Sequence, residues 1–226
     1  SEEANEGTKT TSTLKKMKLD FHIHTHYSKC SNLEPRQAIK LAEKAGLDAI
    51  ALVNHNLKPK KYDSKRVKVI PGVEVNTRQG HLLVINTLKE FEQGLDAQEV
   101  INQAGKNALI IIPHAFDITR HGMGGHVEKL TGYHAIELNA RCLFNKFNNQ
   151  ARAYAEAHDK PLVAGSDSHF KEEIGDAFTS VNASSINEAI QKIKQGKTKT
   201  YIKKRKILNK LIPYTKSALP RKKIKN

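Results

Sequence analysis

The sequence predicts an α/β fold, and two observations carry that reading. Short apolar runs alternate with amphipathic helical stretches along most of the 226 residues. Strand–helix alternation implies parallel strands covered by helices. No glycine-rich phosphate loop follows the first apolar run, so a small barrel of seven strands fits better than an open doubly wound sheet.

The leader, residues 1–16, is rich in Thr, Ser, Glu and Lys and is expected to be disordered, with Met17 a natural start. It has no apolar centre, so it does not read as a secretory signal. Extended apolar runs follow at 19–23, 49–53, 67–70, 81–85, 108–112, 135–138 and 161–164. Helical patterns lie at 35–45, 97–106, 145–157 and 186–194. Pro35 suits the first turn of its helix, and Gly46 suits the cap that ends it. Gly196 repeats the stop signal after Lys194. Residues 197–206 can add one last strand. The expected organisation is a leader (1–16), a barrel domain (17–206) and a basic tail (207–226).

Lys and Arg number 38 against 23 Asp and Glu, a formal charge of +15. The excess is local: residues 197–226 hold 12 Lys or Arg and no acid. Such a block is an exposed arm that either has no partner or touches polyanions, and nucleic acid is the partner considered. No apolar run is long enough for a membrane helix, and a membrane-surface role is not expected. Two cysteines, Cys30 and Cys142, exclude a disulfide scaffold and suit a reducing cytoplasm.

The residues able to do chemistry sit at the ends of the apolar runs. His22 and His24 end the first run, and Asn54 and His55 end the second. Glu74 follows the third, His114 ends the fifth, Glu137 and Asn139 close the sixth, and Asp167 and His169 end the seventh. His81 breaks the pattern because it starts its run. In an α/β barrel the carboxyl ends of the strands share one rim, and the active site sits there. His22 and His24, two apart on a strand, share a face about 6–7 Å apart along the chain and can bind one metal. Imidazole with carboxylate suits Zn²⁺, Mn²⁺ or Fe²⁺ rather than Ca²⁺. The candidates outnumber the four ligands of a single zinc, which points to two or three divalent ions. His121, His126, His134 and His158 read as ordinary polar residues.

The stretches "LDFHIHTHYS", "AGLDAIALVNHN", "VIPGVEVNTRQGHLL", "IIPHAF", "IELNAR" and "LVAGSDSHFKEEIGDAF" together resemble the PHP (polymerase and histidinol phosphatase) family, its small stand-alone members most of all. The resemblance implies a distorted seven-stranded (β/α) barrel of PHP type with a di- or trinuclear metal centre. It implies that His22, His24, Glu74 and Asp167 bind one metal and that Glu74 bridges to a second, held by His81 and His114. His55 and His169 match positions that hold a third metal or the substrate phosphate. Two departures stand out. The family usually has Asp where Asn54 precedes His55, and it often has Asp shortly after the "HTxxS" motif, where this chain reads Lys29-Cys30-Ser31. Both lie around the third position, so two firm metals and one weak or vacant site are expected; Cys30 reads as a free thiol, with a substitute thiolate ligand there as the alternative.

The implied activity is a metal-dependent phosphoesterase. Its leading substrates are phosphomonoesters, either a nucleotide or a small phosphorylated metabolite. The alternatives are a nuclease or oligonucleotidase assisted by the basic tail, and a catalytically weakened nucleic-acid-binding protein on the same barrel. His55, His169 and Asp167 carry the catalytic roles. Arg141, or Arg120 with less support, would grip a second phosphate or a carboxylate.

Overall fold

The computed structural model describes residues 15–203. They form one sheet of nine strands in the order β7-β6-β5-β4-β3-β2-β1-β8-β9. In chain order the elements are β1 (Lys15–Ile23), α1 (Pro35–Lys44), β2 (Ala49–Leu52), β3 (Lys68–Asn76), β4 (His81–Ile85), α2 (Ala97–Gln103), β5 (Leu109–Ile112), β6 (Ala135–Asn139), α3 (Asn145–Ala157), β7 (Leu162–Gly165), β8 (Ala177–Ala183), α4 (Ile186–Lys194) and β9 (Lys199–Ile202). Lys15 and Lys16, assigned above to the leader, are the first residues of β1. The rest of the leader and the 207–226 tail lie outside the described residues.

The sheet curls until its two ends nearly meet. At the seam Ser168 pairs with Ile23 in a parallel bridge, His24 N donates to Ser168 O, and Ser168 N donates to His22 O. Below this, Thr179 Oγ1 of β8 accepts from Ala164 N of β7 at 2.8 Å. The buried Asp20 carboxylate of β1 accepts from Ser166 N at 3.1 Å. These bonds satisfy backbone groups that an open edge would leave exposed.

Two expectations are corrected. There are nine strands rather than seven: Ala177–Ala183 is an unexpected one, and Lys199–Ile202 falls within the 197–206 segment expected to add a last strand. The first of these carries Thr179, Ser180 and Asn182 among its apolar residues, so its apolar run is broken. The strands are not all parallel either: β3–β4, β4–β5, β1–β8 and β8–β9 are antiparallel. The switch occurs inside β3. Lys68 to Pro71 pair parallel with β2, while Gly72 to Asn76 pair antiparallel with β4. Pro71 lacks the N–H that would continue one ladder, and it sits where the partner changes. This reversal turns the start of β4 toward the rim, which explains why His81 opens its run instead of closing it.

The period-two alternation of buried strands sorts the core. Leu83, Ile85, Leu109 and Ile111 pack with Leu19, Phe21 and, from α4, Ile190 and Ile193. Leu82, Val84, Ile110 and Ile112 face the other way onto Val100 and Ile101 of α2 and Ala151 and Ala155 of α3. Small residues of α1, Ala38 and Ala42, lie against Ile23, Ile50 and Leu52. Each large side chain buried this way contributes about 1.5–3 kcal/mol. Among the described residues no helix is long and apolar enough to cross a membrane.

Burial raises the Asp20 carboxyl to about 7, against the smaller opposing effect of its hydrogen bonds from Ser166 and His22. A carboxyl whose folded value is raised costs stability once the unfolded chain can ionise. The cost is absent below about 4 and grows as pH rises toward 7. Asp20→Asn keeps an oxygen for Ser166 N and His22 N and is therefore expected to be more stable than wild type at pH 8. The gap should close as pH falls to 4, as followed by urea denaturation across that range.

Candidate metal centre

Strand ends deliver the polar residues to one cleft of about 380 Å³. His22 is the next-to-last residue of β1 and His24 follows its end, and Glu74 stands in β3 beyond its change of partner. His81 opens β4, Asp167 and His169 follow β7, and His114 follows β5. His114 and Asp167 both take left-handed backbone, with φ of 34° and 53°. Such residues cost of order 1–3 kcal/mol each and are kept where the surroundings demand them. Here they bend the chain just past a strand and turn each side chain into the cleft.

The buried Glu74 carboxylate is the hub. Its Oε2 lies 3.4 Å from His22 Nε2, 3.0 Å from His24 Nε2 and 3.4 Å from His55 Nδ1. Its Oε1 lies 3.0 Å from His81 Nδ1 and 3.2 Å from His114 Nε2. Asp167 Oδ1 stands 3.5 Å from both His22 Nε2 and His24 Nε2, which are 3.2 Å from each other. The structure thus brings His22, His24, His55, Glu74, His81, His114, Asp167 and His169 around one cleft, with Arg141 in its wall. Cys30, a free and partly exposed thiol, also lines it and groups with His24 and His55.

The surrounding hydrogen bonds decide which nitrogens are bare. His22 Nδ1 donates to Glu137 Oε1 at 2.9 Å, so Nε2 is the nitrogen that faces the cluster and gives up its proton when a cation binds. His169 Nδ1 donates to Asp167 O at 2.8 Å, and His55 Nδ1 to Asn76 Oδ1 at 2.8 Å. A donor to carboxylate or carbonyl on the outer ring nitrogen is the usual arrangement behind a metal-binding imidazole. Glu137 Oε2 in turn accepts from Asn139 Nδ2 at 2.9 Å and His114 N at 3.2 Å. A Cβ on Gly165 would stand 2.0 Å from Glu137 Oε1, so only glycine admits this carboxylate behind His22.

Charge follows from the same geometry. Burial disfavours imidazolium at His22, yet Glu137, Asp167 and Glu74 outweigh it and hold its pKa well above the usual value. Burial likewise opposes ionisation of Glu74, but His22, His81 and His55 hold it well below the carboxylate range. Asp167 is held low against burial by Arg120 first and then by His22. His169 is pushed well down by burial, then by His24 and Arg141, and is neutral. Burial also lowers His114.

The donor set fits divalent ions. In a tetrahedral site with bonds of about 2.0–2.1 Å, neighbouring donors stand about 3.3 Å apart. The pairs linking His22, His24, Glu74 Oε2 and Asp167 Oδ1 given above span 3.0–3.5 Å. His81 Nδ1 is buried without a hydrogen-bond partner, although Glu74 Oε1 is beside it. A cation between them would satisfy both.

Sequence reasoning missed three features. Glu137 reads in the sequence only as a strand-end residue; its role appears when the curled sheet brings its carboxylate to His22 of β1. Arg120, ranked behind Arg141, pairs its Nη1 with Asp167 Oδ2. Arg141 reaches Glu173 with Nε and Asp167 O with Nη1. Asn54 does not orient His55. Its Oδ1 accepts from Thr25 N, Thr25 Oγ1 and Ser28 Oγ at 2.9–3.0 Å, and Asn76 orients the imidazole instead. Of the histidines set aside, His121 lines the cleft. His134 accepts from Ile110 N, and burial followed by Lys194 and Lys160 lowers it to about 4.

A family model described as PHP-associated matches residues 145–198. An uncharacterized protein of Methanocaldococcus jannaschii is 32% identical over 174 residues, covering 72% of this chain and 69% of that one. The chain belongs to the PHP family. Among solved structures, this PHP chain superposes on a two-domain protein containing a predicted PHP-like metal-dependent phosphoesterase from Bacteroides vulgatus. The TM-score is 0.67 at 18% identity, over 94% of this chain and 73% of that one. PsfC from Pseudomonas syringae matches with a TM-score of 0.66 at 16% identity, over 89% of this chain and 98% of that one. At these identities the two structures speak for the fold.

Glu137→Gln keeps the shape but removes the charge behind His22, and is expected to weaken divalent-metal binding roughly 10–100-fold in chelator competition. Gly165→Ala should do at least as much and lower the thermal midpoint as well. Because His22 holds a proton in the metal-free cluster, loading should release protons and tighten as pH rises. Affinity that does not change with pH, or with Glu137→Gln, would remove both assignments.

Proposed function

We propose that this PHP protein is a metal-dependent hydrolase of phosphoric esters, with phosphomonoesters, either a nucleotide or a small phosphorylated metabolite, as the leading substrates. One observation carries the reading: the two oxygens of Glu74 are divided between His22 with His24 on one side and His81 with His114 on the other. That is the form of a carboxylate shared by two cations. His22, His24, Asp167 and Glu74 would hold one ion, and Glu74, His81 and His114 a second. Mn²⁺, Zn²⁺ or Fe²⁺ suits these donors. Divalent ions held there supply Lewis acidity toward phosphate oxygens and lower the pKa of water.

The protein's own groups complete the site. Arg120 takes Asp167 Oδ2 and so leaves Oδ1 facing His22 and His24. Arg141, held beside Asp167 and Glu173, lines the same cleft and brings a fixed positive charge for an ester's oxyanions. His169 is neutral, with its Nε2 bare, and serves as a ligand or an acceptor rather than an acid. His55 is about a quarter exposed at the solvent side of the cleft, and is the group placed to exchange a proton with the leaving alkoxide.

A specific observation favours nucleic acid as a second substrate reading. β8 runs antiparallel to β1 and β9 antiparallel to β8, with Ile202 opposite Ala177. Lys203 N donates to Asp176 O, close to Glu173 and the cleft. The chain therefore enters its basic 204–226 segment, nine Lys or Arg with no acid, on the rim side of the barrel. Such a segment would hold phosphates without reading bases.

The test is product chromatography after giving Mn²⁺-loaded protein a short 5′-phosphorylated RNA. Free phosphate with an intact oligomer is the expected result, and shortened oligomers would establish the nuclease reading instead. Asp167→Asn should lower either activity by orders of magnitude with the fold intact; undiminished turnover in that variant would sink the assignment. If nucleic acid is the substrate, oligomer turnover should fall steeply with salt, and removing residues 207–226 should flatten that dependence.

A further inference from the structure

A second cavity of about 280 Å³ opens beside the metal cleft. Tyr27, Leu57, Pro59 and Tyr62 give it apolar walls, with Lys60 and Glu90 at its edge. Tyr27 and Leu57 are 42% and 43% exposed, among the few large apolar side chains so open to solvent. Tyr62 is pushed up by burial and then by Tyr27, so the two phenols are neighbours. The Lys60 ammonium sits 3.9 Å over the Tyr27 ring, and the His26 ring centroid lies 4.2 Å from that of Tyr27.

The wall between this cavity and the metal cleft is one hydrogen-bonded seam. Asn54 lines the cavity while the next residue, His55, lines the cleft; Tyr27 lines the cavity while Cys30 lines the cleft. The seam is closed by Thr25 and Ser28 donating to Asn54 Oδ1, and by His55 N donating to Ser28 Oγ at 3.1 Å. A molecule whose spacer crosses this wall can place a phosphate in one hollow and a ring in the other.

We propose that this cavity is the subsite for a nucleobase, so that the ester hydrolysed is one carried by a nucleotide. Ascribing the ring to a substrate rests on the phosphoesterase reading; the affinity of the cavity for a planar ring does not. Apolar walls with tyrosine faces suit a flat aromatic group. Lys60 covers the Tyr27 face as a movable cation. A base replaces it there, and the ammonium then meets the anionic part of the same ligand. Glu90 offers an acceptor to an exocyclic amine. An aliphatic sugar phosphate would leave these features unused, and the volume falls just under the range for whole drug-sized ligands, enough for one part of a ligand and too small for a folded macromolecular element.

The experiment measures adenosine binding by calorimetry and compares turnover of adenosine 5′-monophosphate with that of ribose 5-phosphate on Mn²⁺-loaded protein. Adenosine should bind wild type and Asp167→Asn alike, because it has no phosphate to place at the metals. Tyr27→Ala should weaken it roughly tenfold, Tyr27→Phe should restore it, and Leu57→Asp should weaken it independently. The nucleotide should be the better substrate, and Tyr27→Ala should erase most of that advantage through KM rather than kcat. No adenosine binding, or binding indifferent to both Tyr27→Ala and Leu57→Asp, overturns the subsite. Binding as expected with no ester hydrolysed leaves the subsite standing and removes the phosphoesterase reading.

Discussion

A single buried carboxylate with five imidazole nitrogens within 3.4 Å organises this molecule. An ionised Glu74 this deeply buried is costly unless it is matched by positive charge. His22 supplies that charge in the metal-free cluster, and divalent ions would supply it more fully. The demand spreads outward. Glu137 must stand behind His22, Gly165 must leave room for Glu137, and Asp20 must tie β1 to the turn after β7. These residues touch the hub only through others, yet their identities are constrained by it.

The second constraint is strand direction. In an all-parallel barrel every carboxyl end points to one rim, and a residue that opens a strand lies at the far end. Here Pro71 and Gly72 divide β3 between a parallel and an antiparallel partner. β4 therefore begins at the rim and places His81 opposite Asn76. One change of partner brings two histidine pairs to opposite oxygens of one glutamate. The same logic at the other end of the sheet, where β8 runs antiparallel to β1 and β9 antiparallel to β8, brings Ile202 and Lys203 back to the rim side.

Asn54 shows how position alters the meaning of a residue. Read next to His55, it looks like a weakened partner for that imidazole. In three dimensions its oxygen takes three hydrogen bonds from the loop after β1, and His55 is oriented from β3 by Asn76. Asn54 belongs to the partition between two cavities. Its lack of charge matters little there, because neutral donors surround its oxygen.

Much of the site was legible in the sequence because metal chemistry needs imidazole and carboxylate at strand ends, and those residue types are conspicuous there. His22-x-His24, Glu74, His114 and Asp167-x-His169 announce themselves in this way. The strand count was less legible, since Ala177–Ala183 mixes Thr179, Ser180 and Asn182 into a strand whose polar groups are satisfied across the seam, as Thr179 is by Ala164. Residue type and order alone thus determined the α/β class, the candidate ligands and the uneven charge. Only the tertiary structure decided which way each strand runs, which oxygen of Glu74 faces which histidine, and that Glu137, Arg120 and Gly165 serve the centre. Those facts depend on contacts between residues far apart in the chain, and local pattern carries no record of them.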